Sequence, residues 1–198
     1  MSRAAIYLLR HGETEWNVAD RLQGALDSSL TPLGREQTQR LAAILARHIH
    51  ESGSETRRMA VSPLGRTRET ARIVAQSFRF PIDVTIEPRL REITLGAWDG
   101  LTKTEVAAQF SSLLAGTNRF DWYFRAPDGE TFEAARERVL SWLSEQTGSV
   151  IAVSHGVTGK LIRGAYLNLP RDETLSLPAP HNLGWILRDG RIEALPAE

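Results

Sequence analysis

The sequence predicts an α/β fold: a three-layer α/β/α sandwich with a mostly parallel central sheet and a small cap-like insertion at about residues 102–129. Three observations carry this reading. Short apolar runs alternate with longer amphipathic stretches, which is the rhythm of strand–helix–strand units. The runs AAIYLL (4–9) and SVIAVS (149–154) are nearly all apolar, as strands covered on both faces are. The stretch 102–129 breaks the rhythm and gathers Phe120, Trp122, Tyr123 and Phe124, so it reads as a cap over the sheet's edge.

The elements follow in order. Residues 4–9 read as a buried strand. Residues 31–49 read as a helix: Thr31 is placed to cap it, Pro32 suits its first position, and Leu33, Leu41, Ile44, Leu45 and Ile49 recur at helical spacing. A short strand at 59–61 precedes Ser62-Pro63, which by the same cap-plus-proline logic opens a helix running to residue 75. Residues 82–86 form a third strand. Helices are expected at 103–110 and 131–146, then the strand 149–154 and a helix to residue 166. Near the end, strands at 185–187 and 191–194 flank Asp189-Gly190, a hairpin-turn signal.

The 198 residues suit one domain spanning 1–198. Lys+Arg and Asp+Glu are both 24, so the net charge is +0 and no basic surface for nucleic acid is indicated. The chain has no cysteine, which excludes disulfides, thiolate catalysis and Cys-ligated metals. No apolar run has membrane-spanning length, and the N-terminus lacks a secretory pattern. A cytoplasmic protein is expected, with no membrane partner; a dimer stays open.

In such folds ligands bind beyond the carboxyl ends of the strands. Three motifs fall there: Arg10-His11-Gly12-Glu13, Ser62-Pro63-Leu64-Gly65-Arg66 and Ser154-His155-Gly156. Two histidines, two arginines and helix N-termini in one crevice make an anion site. With Ser62 as cap, Arg66 lies one turn into its helix and leans back over the strand ends. Arg10 and Arg66 can then hold a phosphoryl group by bidentate contacts. A neutral His11 in line with phosphorus can attack it, its other ring nitrogen fixed by a backbone carbonyl. Glu92 is the candidate acid for the leaving oxygen and the base for water, and His155 donates to the transferring oxygens. His48, His50 and His181 read as structural, Arg68 and Arg72 as part of a solvated face, and Trp16 and Trp98 as packing residues.

This set resembles the histidine phosphatase superfamily, in the branch that includes phosphoglycerate mutases and small broad-specificity phosphatases. The likeness spans nearly the whole chain. Its landmarks are LLRHGETEWN (8–17), RLQG (21–24), DSSLTPLGREQ (27–37), SPLGRTRETA (62–71), LREITLGAWDG (90–100), PDGET (127–131) and VSHG (153–156). The resemblance implies a phosphoglycerate mutase-like fold and a phosphohistidine on His11. It implies a phosphate pocket completed by Arg10, Arg66 and His155 with its Gly156, and proton donation by Glu92. It also implies that Asn17 touches the phosphate, that Gln23 and Gly24 line the substrate side, and that neither metal nor other cofactor is needed.

Within that branch the residues favour a phosphatase acting on small phosphorylated metabolites. The mutase pattern places Arg-His-Tyr after the acid, where this chain has Ile93, Thr94 and Leu95. It has His-Gly-Asn where this chain has His155-Gly156-Val157, and Ser or Thr where this chain has Gln23. The paired cap arginines are absent. Lys103 favours the alternative, a cofactor-dependent phosphoglycerate mutase, because it falls where mutases place a carboxylate-binding lysine. A third reading is an inactive module that binds a phosphorylated ligand; His11 and Glu92 argue against it, since binding alone needs neither.

Overall fold

The computed structural model describes residues 4–54 and 56–196. One six-stranded sheet organises them, in the order β3-β2-β4-β1-β5-β6. Its strands are β1 (Ile6–Arg10), β2 (Arg58–Val61), β3 (Asp83–Ile86), β4 (Val150–Ser154), β5 (Leu183–Arg188) and β6 (Arg191–Pro196). The pairings β3–β2, β2–β4 and β4–β1 are parallel; β5 and β6 add an antiparallel hairpin beyond β1. Asp189 (φ 53°) and Gly190 (φ 71°) both take left-handed backbone at its turn, which matches the twist of the two strands.

The alternation of side chains along β1 builds two cores. Tyr7 and Leu9 face one side and pack with Leu41, Leu45 and Ile49 of α2 (Pro32–Glu51) and Ala71 and Val74 of α3 (Gly65–Gln76). Ile6 and Leu8 face the other and pack with Val139 and Trp142 of α5 (Phe132–Ser144) and Leu161 and Ile162 of α6 (Gly156–Tyr166). The result is the three-layer α/β/α arrangement expected from the sequence. Segment 102–129 contributes α4 (Lys103–Gln109) and two short 3₁₀ turns. Its Trp122 stacks on the fully buried Trp98, centroids 5.9 Å apart, and its aromatics join the core beside α5 and α6.

Some local expectations need correction. Thr31 does cap α2, accepting from Gly34 N–H at 2.9 Å with Pro32 next to it, but Leu33 points to solvent. Ser62 does not cap α3. That helix starts at Gly65, and its first N–H groups go to the carboxylate of Asp27, Gly65 N–H to Oδ2 and Arg66 N–H to Oδ1 at 3.1 Å. The carboxylate is the better cap for a helix N-terminus, and it leaves the Ser62 hydroxyl free for another partner. The helices α1 (Glu15–Val18) and α7 (Arg171–Ser176) are short and lack the strong apolar period that marks a helix in sequence.

Candidate active site

The carboxyl ends of β1, β2 and β4 lie side by side. Arg10 pairs with Ser154, His11 N–H donates to Ser154 O at 3.1 Å, and Ser62 N–H donates to Val153 O at 3.0 Å. The three motifs therefore meet, and a cavity of about 230 Å3 opens above them. Arg10, His11, Asn17, Gln23, Gly24, Arg66, Glu92 and Lys103 line it; His155 adjoins His11, ring centroids 5.3 Å apart, and Gly156 adjoins Arg10.

His11 is buried, and its Nδ1 lies 2.8 Å from the carbonyl oxygen of Gly12. A carbonyl only accepts, so Nδ1 carries the proton and Nε2 keeps its lone pair. Burial first, then the charge of Arg10, pushes the His11 pKa well below the ordinary histidine value, so the ring is neutral near pH 7. Its loop is locked onto α2 by two glycines. A Cβ on Gly12 would lie 2.2 Å from Gly34 O, and one on Gly34 would lie 2.0 Å from Glu13 O. Gly12 thus serves close backbone packing behind the histidine.

Beside it Arg66 is buried and Arg10 partly buried. Arg10 donates to Ala179 O, and burial lowers its pKa to about 10, which still leaves it cationic. Arg66 is the second residue of α3, not a full turn in. Its guanidinium donates to Leu26 O at 2.6 Å, Gly24 O at 3.0 Å and Asp27 Oδ1 at 3.2 Å. In each, Nε–H is buried without a protein acceptor. Desolvated cations with unused donors are unfavourable by themselves; a phosphoryl dianion offsets that cost and fills the donors.

His155 has its Nε2 2.6 Å from Ser62 Oγ. That hydroxyl accepts from Leu64 N–H at 3.4 Å, so its own proton is free for Nε2. Nδ1 is buried with no protein partner, and it carries the N–H when the Ser62 hydroxyl donates to Nε2. Burial and Arg66 hold the His155 pKa well below its ordinary value. Gly156 leaves room for Arg10, since a Cβ there would lie 3.3 Å from its Cζ.

Glu92 sits at the N-terminus of α6. Its Oε1 accepts from Thr158 N–H at 2.9 Å, Thr158 Oγ1–H at 3.0 Å and Ile93 N–H at 3.1 Å; Oε2 accepts from Val157 N–H at 3.0 Å. The carboxylate is fixed by the free N–H groups of a helix end, and Glu92 forms part of the cavity wall. Asn17 uses Oδ1 to close the cap of α1 with Thr14 at 3.1 and 3.0 Å, which reserves its NH2 for a ligand. Lys103 stands at the rim with Nζ 3.0 Å from Asp20 Oδ1.

Four residues of this region carry more than their sequence signals suggested. His181 supports the site from close by: its Nδ1 is 2.8 Å from His11 O and its ring lies 5.4 Å from the His11 ring. Trp16 lines the cavity, with the Arg21 guanidinium 5.9 Å over its ring; Trp98 does only pack. Ser62 serves His155, and Tyr123 reaches the cavity from the 102–129 segment. Only the aromatic density of that segment could have pointed to Tyr123. Among the described residues no group of three or more His, Asp or Glu is placed to hold a metal ion, and no helix is long and apolar enough to cross a membrane.

Comparison with known proteins agrees with this geometry. The sequence model of the histidine phosphatase superfamily (branch 1) matches residues 6–189. The chain is 36% identical over 174 residues to the probable phosphoglycerate mutase GpmB of Proteus mirabilis, covering 83% of this chain and 75% of that protein. It is 34% identical over 203 residues to the glucosyl-3-phosphoglycerate phosphatase of Mycolicibacterium vanbaalenii, covering 96% and 85%. Among solved structures, YhfR of Bacillus stearothermophilus superposes with a TM-score of 0.78 at 31% identity, over 98% of this chain and 96% of that one. A mycobacterial glucosyl-3-phosphoglycerate phosphatase gives 0.76 at 26% identity, over 98% and 97%.

Proposed function

The chain belongs to the histidine phosphatase superfamily, and from that premise we propose that it is a phosphomonoesterase of small phosphorylated metabolites working through a phosphohistidine on His11. The observation that carries this reading is the tautomer of His11. The Gly12 carbonyl holds Nδ1–H, so Nε2 of a neutral ring keeps its lone pair, in a cavity wall shared with Arg10 and Arg66.

The reaction runs in two displacements. His11 Nε2 attacks phosphorus while the ester P–O bond breaks, and the Glu92 carboxyl gives a proton to the leaving alkoxide. Arg10, Arg66, the Asn17 amide and His155 Nδ1–H hold the phosphoryl oxygens as negative charge spreads over them. Glu92, now ionised, takes a proton from water as that water attacks the phosphohistidine. Inorganic phosphate leaves and His11 returns neutral. The arginines supply the positive charge a metal would bring, so catalysis proceeds without one. Segment 102–129 acts as the cap of a single domain, in a protein at work in the cytoplasm.

Lys103 at the rim supports a second reading, phosphoglycerate mutase, in which it would bind a substrate carboxylate. Its pairing with Asp20 speaks for hydrolysis. The test is a rapid quench with labelled substrate after exhaustive chelation. An acid-labile, base-stable phosphoenzyme that disappears in His11→Ala is expected. Undiminished labelling of His11→Ala, or activity lost on chelation and restored by metal, overturns the reading. Conversion of 3-phosphoglycerate to its 2-isomer with a bisphosphate primer, in excess over hydrolysis, establishes the mutase.

A further inference from the structure

Two polar atoms in the cavity wall have no use in phosphoryl transfer. Gln23 is buried, and its Oε1 has no hydrogen-bond partner. The Tyr123 hydroxyl is likewise buried without a partner. Both residues line the cavity that holds Arg10, His11 and Glu92. Buried polar atoms left unpaired by the protein are uncommon, and in a ligand site they mark where ligand atoms go.

Their chemistry restricts the ligand. A phosphoryl dianion offers only acceptors, so it cannot satisfy Gln23 Oε1, which needs a donor. Tyr123 stays protonated, because burial holds its pKa above the ordinary phenol value, so it can donate. Its ring is held edge-on to Trp122 at 5.7 Å and against Phe124 at 4.9 Å, which fixes where the hydroxyl points. A donor and an acceptor are thus wanted outside the phosphoryl group. An alcohol hydroxyl supplies both. The neighbouring walls are the rings of Trp16 and Trp122, which suit the carbon faces of a hydroxylated chain or ring. A carboxylate finds less: Lys103 is matched by Asp20, and Arg21 by Glu105 at 3.6 Å and the carbonyl of Gly100.

Resting on the phosphomonoesterase reading, we propose that the preferred leaving group is an uncharged polyol whose free hydroxyl is read by Gln23 and Tyr123. Phosphate monoesters of sugars and alditols are the substrate class, ahead of plain alkyl phosphates and of phosphoglycerates.

The experiment measures phosphate release from glycerol 3-phosphate, propyl phosphate and 3-phosphoglycerate in wild type, Tyr123→Phe and Gln23→Leu. Wild-type kcat/KM should favour glycerol 3-phosphate over propyl phosphate by about ten- to a hundredfold, and over 3-phosphoglycerate as well. Each substitution should shrink the hydroxyl preference to a few-fold. Tyr123→Phe removes an unpaired buried hydroxyl, so its melting temperature should match or exceed wild type, which separates lost recognition from lost folding. Equal rates on glycerol and propyl phosphates, an unchanged preference in both variants, or a preference for 3-phosphoglycerate overturns the proposal. If propyl phosphate is hydrolysed with no hydroxyl advantage, the phosphomonoesterase reading survives alone. If none of the three is hydrolysed, both fall.

Discussion

The imidazole of His181 donates from Nδ1 to the main-chain carbonyl of His11 at 2.8 Å, joining two loops 170 residues apart in sequence. The same loop supplies the Ala179 carbonyl that holds Arg10. One segment therefore fixes both the proposed nucleophile and a proposed phosphate ligand from above.

Removing that hold should cost turnover more than binding. In His181→Ala the His11 backbone loses its upper support, and a shift of about 1 Å in a reacting group can cost about a hundredfold. We expect kcat to fall about ten- to a hundredfold with KM changed by a few-fold. Asn at this position can donate from Nδ2 to the same carbonyl, so His181→Asn should recover much of the loss. Steady-state kinetics of the two variants check this; equal impairment of both would assign His181 a packing role only.

Arg66→Lys should be far from conservative. The planar fork reaches Leu26 O, Gly24 O and Asp27 at once and keeps Nε–H free; a lysine ammonium cannot reproduce that set. The contact to phosphoryl oxygens strengthens as charge develops, so kcat should fall along with affinity, together about a hundredfold in kcat/KM. Wild-type constants would mean that Arg66 serves the 24–27 loop alone.

Glu92→Gln should discriminate by leaving group. An alkyl phosphate departs as a basic alkoxide and needs the proton; a nitrophenyl phosphate hardly does. General acid catalysis is typically about a hundred- to ten-thousandfold. The alkyl ester should lose close to that range, and the nitrophenyl ester clearly less in its first step. Phosphoenzyme should accumulate with the latter, because water activation fails too. Rapid-quench comparison measures both; equal losses without accumulation would reduce Glu92 to a cap of α6.

Acid should unfold the protein through its histidine cluster. Burial, with Arg10, lowers the His181 pKa to about 4, and His11 and His155 are held well below their ordinary values. The unfolded chain binds protons at these three sites below about pH 6.5 while the folded one does not. Their contribution to stability is complete above that pH and is lost as pH falls toward 4. A denaturant midpoint series from pH 8 to 4 should fall most steeply below 6.5. His181→Asn should flatten the slope by up to one proton. A midpoint unchanged across that range would contradict the depressed values.

The sequence by itself determined the layers and where the chemistry sits. Apolar runs ending at Arg10 and Ser154 dictate buried strands whose next residues, His11 and His155, must emerge at one edge of the sheet, because strand alternation and parallel pairing are local consequences of the pattern. Thr31-Pro32 likewise fixed the start of α2 from four neighbouring residues. Tertiary structure alone decided the rest. Asp27 displaced Ser62 as the cap of α3 because a carboxylate from a distant loop reaches the helix end, freeing the serine for His155. His181 meets His11 only once the β5 hairpin has paired with β1. Tyr123 and Gln23 acquire significance only because each carries an unpartnered polar atom in the wall of one cavity. Each of these relationships joins segments tens of residues or more apart, and the residues immediately around them carry no period, cap or turn signal that records the partner.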